Sequence, residues 1–522
     1  MAHKLKVLLT GSAGKVGTMF RELAGDRYDL VCFDRRPTPG VPDAVVADLT
    51  DRAALEKAMA GCDAVLALGA QPNPADFTSV IVPCNIIGSF NVFEAAVKTK
   101  VKRVVHASTV QTEFGHDDGV KVSVDMAPKA ANVYAASKVW AEGLAHIYSR
   151  RHGLSTICIR FGAVVTPQDL ERWLKWGWGP GDISLTPNDA FAIITRALEI
   201  EGVPFAVVPA YSLNARDIKD LAPLKRILDI EPKEDARVLW PRRKPNLTLY
   251  GKVMRFYYRS RWRLWRRWRR LRNAFLRLVN FRPRLPHSKP RVLVTGSAGL
   301  LGTAVRKRLS ERYDFICFDR RPTPGVPDAF IADLADKKAL RKACRKADMV
   351  LHLAAARDEA DFMSVILPNN IIGTWNLYQA AADTGVRRVV FASSCQAEDG
   401  WPRGTKVSVE MPARPLNFYA ASKVLGEDLG RTFSFWRWGG GNLTVIALRF
   451  GWIRIPEDPE WVEYGDRTPP AITLELDDAC DIITRALEVK DVRFALLPAY
   501  SKAAEGVKDL EPLRKYLDFT PR

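Results

Sequence analysis

The chain has little of what would tie it to several common classes. Its 522 residues include eight cysteines and seven histidines. There is no Cys-x-x-Cys pair and no His/Cys cluster at zinc spacing, so no metal site is expected. Cys32 and Cys317 occupy matching apolar strand positions and read as buried thiols, which suits a reducing, cytoplasmic compartment. No run of about 18 uninterrupted apolar residues occurs, so no transmembrane helix is expected. The first strand begins near Leu5 and leaves no room for a secretory signal peptide. Acidic residues are missing altogether from residues 237–289, which hold eighteen Lys or Arg; the rest of the chain carries only +1 of the formal +19. A polyanion-binding reading therefore belongs to that segment alone.

What is present is a duplication. Thr10-Gly11-Ser12-Ala13-Gly14-Lys15-Val16-Gly17 returns 285 residues later as Thr295-Gly296-Ser297-Ala298-Gly299-Leu300-Leu301-Gly302. Tyr134-Ala135-Ala136-Ser137-Lys138 returns as Tyr419-Ala420-Ala421-Ser422-Lys423, and Cys32 to Ala44 is identical to Cys317 to Ala329. The chain is too long for one core, and two α/β domains of ordinary size are expected, over residues 1–236 and 290–522.

The segment between them, 237–289, is bordered by Pro241, Pro245, Pro283, Pro286 and Pro290. From about Tyr250 to Phe281 its apolar residues recur at three- and four-residue steps, as in an amphipathic helix. Trp262, Trp265 and Trp268 lie among Arg259, Arg261, Arg263, Arg266, Arg267, Arg269, Arg270 and Arg272. Three readings stay open. An anionic membrane surface contacted through 250–281 suits the Trp/Arg combination. A helix bridging this protein's own domains or a partner is the structural alternative. Nucleic-acid binding is the least supported, since no known module is visible.

In the first repeat the glycine run follows the apolar strand Lys6-Val7-Leu8-Leu9 and opens a helix, the context that gives such a run meaning. Gly11 permits a tight turn, Gly14 lets the backbone approach a pyrophosphate, and Gly17 allows helix–sheet packing. Amides near Lys15 and Val16 are placed to face the phosphates. The second strand ends in Asp34, where a carboxylate can accept bonds from ribose hydroxyls and repel a 2′-phosphate. NAD is thus expected, one per repeat. Arg35 and Arg36 follow and can accommodate the extra phosphate of NADP, so NADP stays open. The second copy supplies Gly296, Gly299, Leu300, Leu301, Gly302, Asp319, Arg320 and Arg321. Asp48-Leu49 and Asp333-Leu334 are expected to end the third strand, beside the adenine. His352, on the fourth strand, has Ala67 as its counterpart and reads as a strand-face histidine.

Tyr134 and Lys138 lie one helical turn apart and share a face. A phenol is too weak an acid to serve as base at neutral pH unless a neighbouring ammonium lowers its pKa. Upstream, a strand ends in Ser108-Thr109, and its twin in Ser393-Ser394, hydroxyls able to orient a substrate alcohol or carbonyl against the tyrosine.

These motifs together resemble the extended short-chain dehydrogenase/reductases, the NAD-dependent epimerase/dehydratase family, over both repeats. The segment Asn85 to Ala96, its twin Asn370 to Ala381, and a short C-terminal part are most similar to uronate dehydrogenases. The resemblance implies hydride transfer from a sugar carbon to NAD. Thr109 or Ser394 would polarise the substrate, Tyr134 or Tyr419 would act as base, and Lys138 or Lys423 would support it. Asn85 and Asn370 match a helix position facing the active site, with sheet packing an equal explanation. Uronate dehydrogenases carry Asn-His after the serine pair, where this chain has Val110-Gln111 and Cys395-Gln396. Gln111 and Gln396 are therefore the substrate-side candidates. Arg172 is the candidate carboxylate clamp of the first repeat; the second has Pro459-Glu460-Trp461 there, which argues against a uronic acid in that site.

The expected architecture is two tandem Rossmann-type domains, each a doubly wound parallel sheet, joined by a basic amphipathic helical connector. The leading function is an oxidoreductase on a small sugar or sugar acid. The alternatives are a sugar epimerase or dehydratase that retains its NAD, and a non-catalytic NAD-binding scaffold at a membrane surface. An intrachain imitation of the dimer common in this superfamily, or a homo-oligomer, is also expected.

Overall fold

The computed structural model describes residues 4–166, 169, 181–215, 217–236, 288–357, 359–435, 443–458 and 469–522. Contacts divide the chain into two compact units, Met1–Arg272 and Asn273–Arg522. The expected connector lies outside the described residues except for Ser288 and Lys289, as do Arg172 and residues 459–461.

The first unit runs β1 (Lys6–Thr10), α1 (Lys15–Ala24), β2 (Asp29–Asp34), β3 (Val45–Val46), α2 (Arg52–Met59), β4 (Ala64–Ala67), α3 (Gly88–Lys98), β5 (Arg103–Thr109), α4 (Val133–His152), β6 (Ser155–Phe161), β7 (Ala163–Val164), β8 (Ser184–Leu185), α5 (Pro187–Glu199), β9 (Phe205–Ala210) and α6 (Ala222–Leu228). The second repeats it as β10 (Arg291–Thr295), α7 (Leu300–Leu309), β11 (Asp314–Asp319), β12 (Phe330–Ile331), α8 (Lys337–Lys346), β13 (Met349–His352), α9 (Gly373–Thr384), β14 (Arg388–Ser394), α10 (Phe418–Phe435), β15 (Thr444–Phe450), β16 (Trp452–Arg454), β17 (Thr473–Glu475), α11 (Leu476–Glu488), β18 (Phe494–Ala499) and α12 (Glu511–Leu517).

Each unit is built on a seven-stranded sheet, in the order β3-β2-β1-β4-β5-β6-β9 and β12-β11-β10-β13-β14-β15-β18, all pairs parallel. The central strands are near-continuous apolar runs because helices cover both faces; Val7, Leu8 and Leu9 are fully buried. The order reverses between β1 and β4, and the crevice beyond their carboxyl ends is where such sheets bind ligands. This is the doubly wound architecture expected, written twice.

One stretch among the described residues, Phe77–Lys98, is long and apolar enough to span a membrane, and 67% of its most apolar 18-residue window is buried. It is a core element: a π-helical segment, Phe77–Ile87, leading straight into α3. Pro83 within it lacks the N–H that a regular helix would use, and Pro368 repeats this in the second unit.

The third strand is shorter than its sequence suggests. It is only Val45–Val46, so Asp48 and Leu49 fall beyond it. Asp48 is exposed, and its Oδ1 accepts from the N–H (2.9 Å) and hydroxyl (2.8 Å) of Thr50, which ends the strand in a turn.

The two cores place one imidazole differently. In the second unit His352 on β13 bonds the Thr295 hydroxyl (2.7 Å) and that of Thr374 (3.2 Å), and burial lowers its pKa to about 3, keeping it neutral. It is the strand-face histidine expected. In the first unit Ala67 takes that place, and His106 on the neighbouring β5 meets the Ser89 hydroxyl at 3.2 Å. Ser89 and Thr374 are equivalent positions. Where the first unit has His106, the second has Phe391, and Gly426 on α10 makes room for it. A Cβ there would lie 2.4 Å from the Phe391 ring. Gly426→Ala should therefore destabilise the second unit by about 1–3 kcal/mol through overpacking, despite alanine's better helix propensity. The loss should shrink in a Phe391→Leu background, measured as urea unfolding midpoints of the four chains.

Candidate functional site

The glycine loop is crowded backbone. Gly11 has φ +72°, and a Cβ on it would stand 2.7 Å from the Gly69 nitrogen. A Cβ on Gly17 would lie 2.3 Å from the Gly11 carbonyl oxygen, and Gly302 repeats that distance against Gly296. The loop thus lies flat on the start of α1 and on the end of β4, where any side chain would lift it away. Gly14 and Gly299 are the N-caps of α1 and α7, and neither supplies a side-chain cap, whereas α2 is capped by Asp51 and α4 by Asn132. The first N–H groups of α1 and α7 are therefore offered outward, as an anion at a helix start requires.

Asp34 stands beside this loop and is largely buried; its carboxylate accepts from the N–H of Ala13 (3.1 Å) and of Arg36 (3.0 Å). Asp319 does the same with Ala298 (3.0 Å) and Arg321 (3.0 Å). The acid is thus pinned at the strand end with its charge in place. Leu49 closes the same side: a Cβ on Gly69 would meet its Cδ1 at 3.0 Å, and one on Gly88 its Cβ at 3.1 Å.

In the second unit one cleft of about 1040 Å³ joins all of this. Gly296, Gly299, Leu300, Leu301, Gly302, Asp319, Arg320, Asp333 and Leu334 line one part; Ser394, Gln396, Tyr419 and Lys423 line the other. Every described candidate of the second repeat therefore faces a single space, of the size that accepts an extended dinucleotide with a small partner. The glycine cradle and the pinned acid fit NAD.

The helix that carries Tyr134 and Lys138 is tied to the loop after β4 by an asparagine. Asn85 donates to the Ser137 hydroxyl (2.9 Å) and the Gln71 carbonyl (3.2 Å), and its Oδ1 accepts the Gln71 N–H (2.8 Å). Ser137 in turn donates to the Tyr134 carbonyl (2.7 Å). Asn370, Ala356, Ser422 and Tyr419 repeat the set. Asn85 and Asn370 therefore lock the loop after β4 or β13 against the helix that carries the tyrosine.

Gln111 is also oriented. The Ala135 N–H fixes the Oδ1 of Asn132, so the Asn132 amide donates to Gln111 Oε1 at 2.7 Å. Asn417 does the same to Gln396, also at 2.7 Å. Each glutamine is left to present its NH₂ group, a donor for a substrate oxygen. Thr109 Oγ1 accepts from the Gln111 N–H (3.3 Å) and Ser394 Oγ from that of Gln396 (3.2 Å).

Tyr134 is buried, with the Lys138 Nζ 5.9 Å from its ring centre; the corresponding distance for Tyr419 and Lys423 is 5.5 Å. The electrostatics run against the sequence expectation. Burial raises the Tyr134 phenol to about 12, against a weaker lowering by its hydrogen bond with Thr109. Burial also drives Lys138 down to about 8 and Lys423 to about 7. Desolvation is the largest effect on each of these groups, because each ion must leave water to form.

Beneath the site lies a charge cluster that sequence patterning missed. Arg160 of β6 is fully buried and grips Glu142 of α4 with two bonds (2.9 and 2.8 Å). It also reaches Glu113 at 3.3 Å, and Glu113 accepts from Tyr211 (2.9 Å) and Lys219 (2.7 Å). Ser108 donates to Glu142 at 2.6 Å. Arg449, Glu427, Glu398, Tyr500, Lys508 and Ser393 rebuild it in the second unit. Two carboxylates against two cations make it neutral, the condition for burying charge. The signal was available, since all six residues return, type for type, in the second copy.

The lysine shifts set a pH dependence. An unfolded chain holds its lysine proton up to about 10.5, while Lys423 releases its own near 7. Between those values the unfolded state binds more protons, so the stability of the nucleotide-free protein should rise with pH. Lys423→Met should flatten that rise in urea midpoints taken between about pH 6.5 and 9.5; an unaltered slope would exclude Lys423 as its source.

Known proteins are similar to this chain in sequence. The chain is 28% identical over 255 residues to L-arabinose 1-dehydrogenase (NAD(P)(+)) of Haloferax volcanii, covering 44% of this chain and 97% of that protein. It is 31% identical to a uronate dehydrogenase of Pseudomonas syringae pv. tomato (39% of this chain, 71% of the relative). An NAD-dependent glucose-6-phosphate dehydrogenase of Haloferax volcanii is 33% identical (33% of this chain, 72% of the relative). A single family profile matches twice, over residues 7–173 and 292–435, more than half of the chain and both glycine loops and both Tyr/Lys pairs. With fold, loop and helix in agreement, the chain belongs to the NAD dependent epimerase/dehydratase family, in tandem duplicate.

Proposed function

We propose that the chain is an NAD-dependent oxidoreductase that oxidises a small sugar or sugar acid. The observation that carries this reading is the single cleft in which the glycine cradle, Asp319, Ser394, Tyr419 and Lys423 meet. Three relatives that each act on an unlinked sugar, sugar acid or sugar phosphate by name support the substrate class.

In this reading Asp34 and Asp319 hold the ribose side, and the N–H groups of α1 and α7 hold the pyrophosphate. Bound NAD supplies the hydride acceptor and a positive charge. Thr109 and Ser394 each already accept a backbone N–H, so each offers its own proton to the substrate oxygen. Tyr134 and Tyr419 take the substrate hydroxyl proton. Lys138 and Lys423, as ammonium ions, stabilise the phenolate that must precede this. A phenol held near 12 cannot act as base without such help. Gln111 and Gln396 donate an amide proton to a second substrate oxygen, a contact suited to a hydroxyl, carbonyl or carboxylate alike.

The finer assignments rest on sequence. Residues 250–281 are proposed to meet an anionic membrane surface, from their three tryptophans amid arginines, with the two oxidoreductase units on its cytoplasmic side. Arg172 is proposed to hold a substrate carboxylate in the first site only.

Purified protein with NAD and a panel of aldoses, hexuronic acids and sugar phosphates should form NADH. Tyr134→Phe and Tyr419→Phe should each lower the rate of its own site by about 10²–10⁴-fold. Tightly retained NAD with no net NADH from any sugar would favour epimerase or dehydratase chemistry instead.

A further inference from the structure

The two cofactor loops differ in charge at one residue. Helix α1 begins with Lys15, where α7 begins with Leu300. The Lys15 ammonium donates to the Val164 carbonyl and pairs with the Asp169 carboxylate. Lys15 remains 42% exposed, while Asp169 is only 12% exposed. Asp169 is held independently: it accepts from the Thr166 hydroxyl (2.9 Å) and N–H (3.3 Å). In the second unit the corresponding Leu300, Ile453 and Asp458 all line the cleft. There the two donors named above have changed together, Lys15 to Leu300 and Thr166 to Ile455. The first unit thus carries a charged strap from the pyrophosphate end of its cleft to the segment after β7, and the second carries an apolar residue instead.

We propose that Lys15 is a side-chain ligand for the cofactor pyrophosphate, present in the first site alone, and that Asp169 competes with the phosphates for its ammonium. The ammonium stands at the uncapped start of α1, where two phosphate charges arrive against the single charge of Asp169. Its flexible four-carbon stem allows a change of partner without moving the helix. Asp169 keeps both Thr166 donors after the exchange, so no buried carboxylate is stranded. The acid also repels an approaching phosphate, so it weakens binding while the lysine strengthens it. The two sites of one chain consequently hold the dinucleotide with unequal affinity and unequal salt dependence. This inference rests on the reading of the loops as dinucleotide sites.

The test is NADH binding by the full chain, followed by fluorescence at low and raised ionic strength. Gly302→Val silences the second site, since a side chain there strikes the Gly296 carbonyl oxygen, and leaves the first to be titrated. In that background Lys15→Leu should weaken NADH binding about tenfold and remove most of its salt dependence. Asp169→Asn should tighten it. If the pair merely braces the loop, both substitutions weaken binding alike, and the proposal is wrong. It is equally wrong if Lys15→Leu changes neither affinity nor salt dependence. Leu300→Lys in the otherwise unaltered chain is an independent arm that does not require Gly302→Val: it should tighten the second site and give it the salt dependence of the first. A full chain that binds no NADH at all removes the dinucleotide reading, and this inference with it.

Discussion

Each half of the chain depends on a buried arginine. Arg160 and Arg449 sit where the fifth-to-sixth strand pairing meets the active-site helix, with 1–2% of their surface exposed. Neither could exist there uncompensated, since desolvating a lone guanidinium costs several kcal/mol. Compensation comes from three separate parts of the chain: the helix (Glu142), the turn after the hydroxyl strand (Glu113), and the segment beyond the last strand (Lys219 and Tyr211, through Glu113). A shift of any one would leave a charge unpaired. The geometry of Thr109, Gln111 and Tyr134 is therefore fixed from below by electrostatics, while the asparagine lock fixes the same helix from the side.

That arrangement explains what was legible in the sequence and what was not. The glycine loops, Asp34 and Asp319, and the Tyr/Lys pairs are local patterns: a few residues, a known spacing, a predicted strand or helix on either side. In the second unit they share one cleft. The duplication and the parallel sheets were legible for the same reason. The charge cluster joins residues separated by 18 to 106 positions. Charged residues along a chain look alike whether they end in water or in a neutral buried knot, so pattern alone leaves Glu113 and Arg160 on the surface. Comparing the repeats for charges kept at non-periodic positions is the procedure that finds them.

The electrostatic expectation at the tyrosine failed for a related reason. Spacing tells which ammonium is near which phenol, and it was right about that. It does not tell how far both are from water. At Tyr134 and Lys138 burial is the larger effect on each group, raising one and lowering the other. Burial thereby leaves the tyrosine a phenol, while a lysine lowered to about 8 still keeps most of its protons at neutral pH.

The paired histidines bear on how the two halves can exchange material. Each core has one imidazole against the hydroxyl that opens the third helix, but it projects from β5 in one copy and from β13 in the other, whose counterpart is β4. A crossover between the repeats anywhere between those strands would join His352 with His106 in one product, and Ala67 with Phe391 in the other. One recombinant core would be overfilled and the other would bury a hydroxyl without its ring. Although the thirteen residues from Cys32 to Ala44 are letter-for-letter identical to their twins, an exchange that ends between those two strands mismatches the core, so the two strands fit only when they pass together.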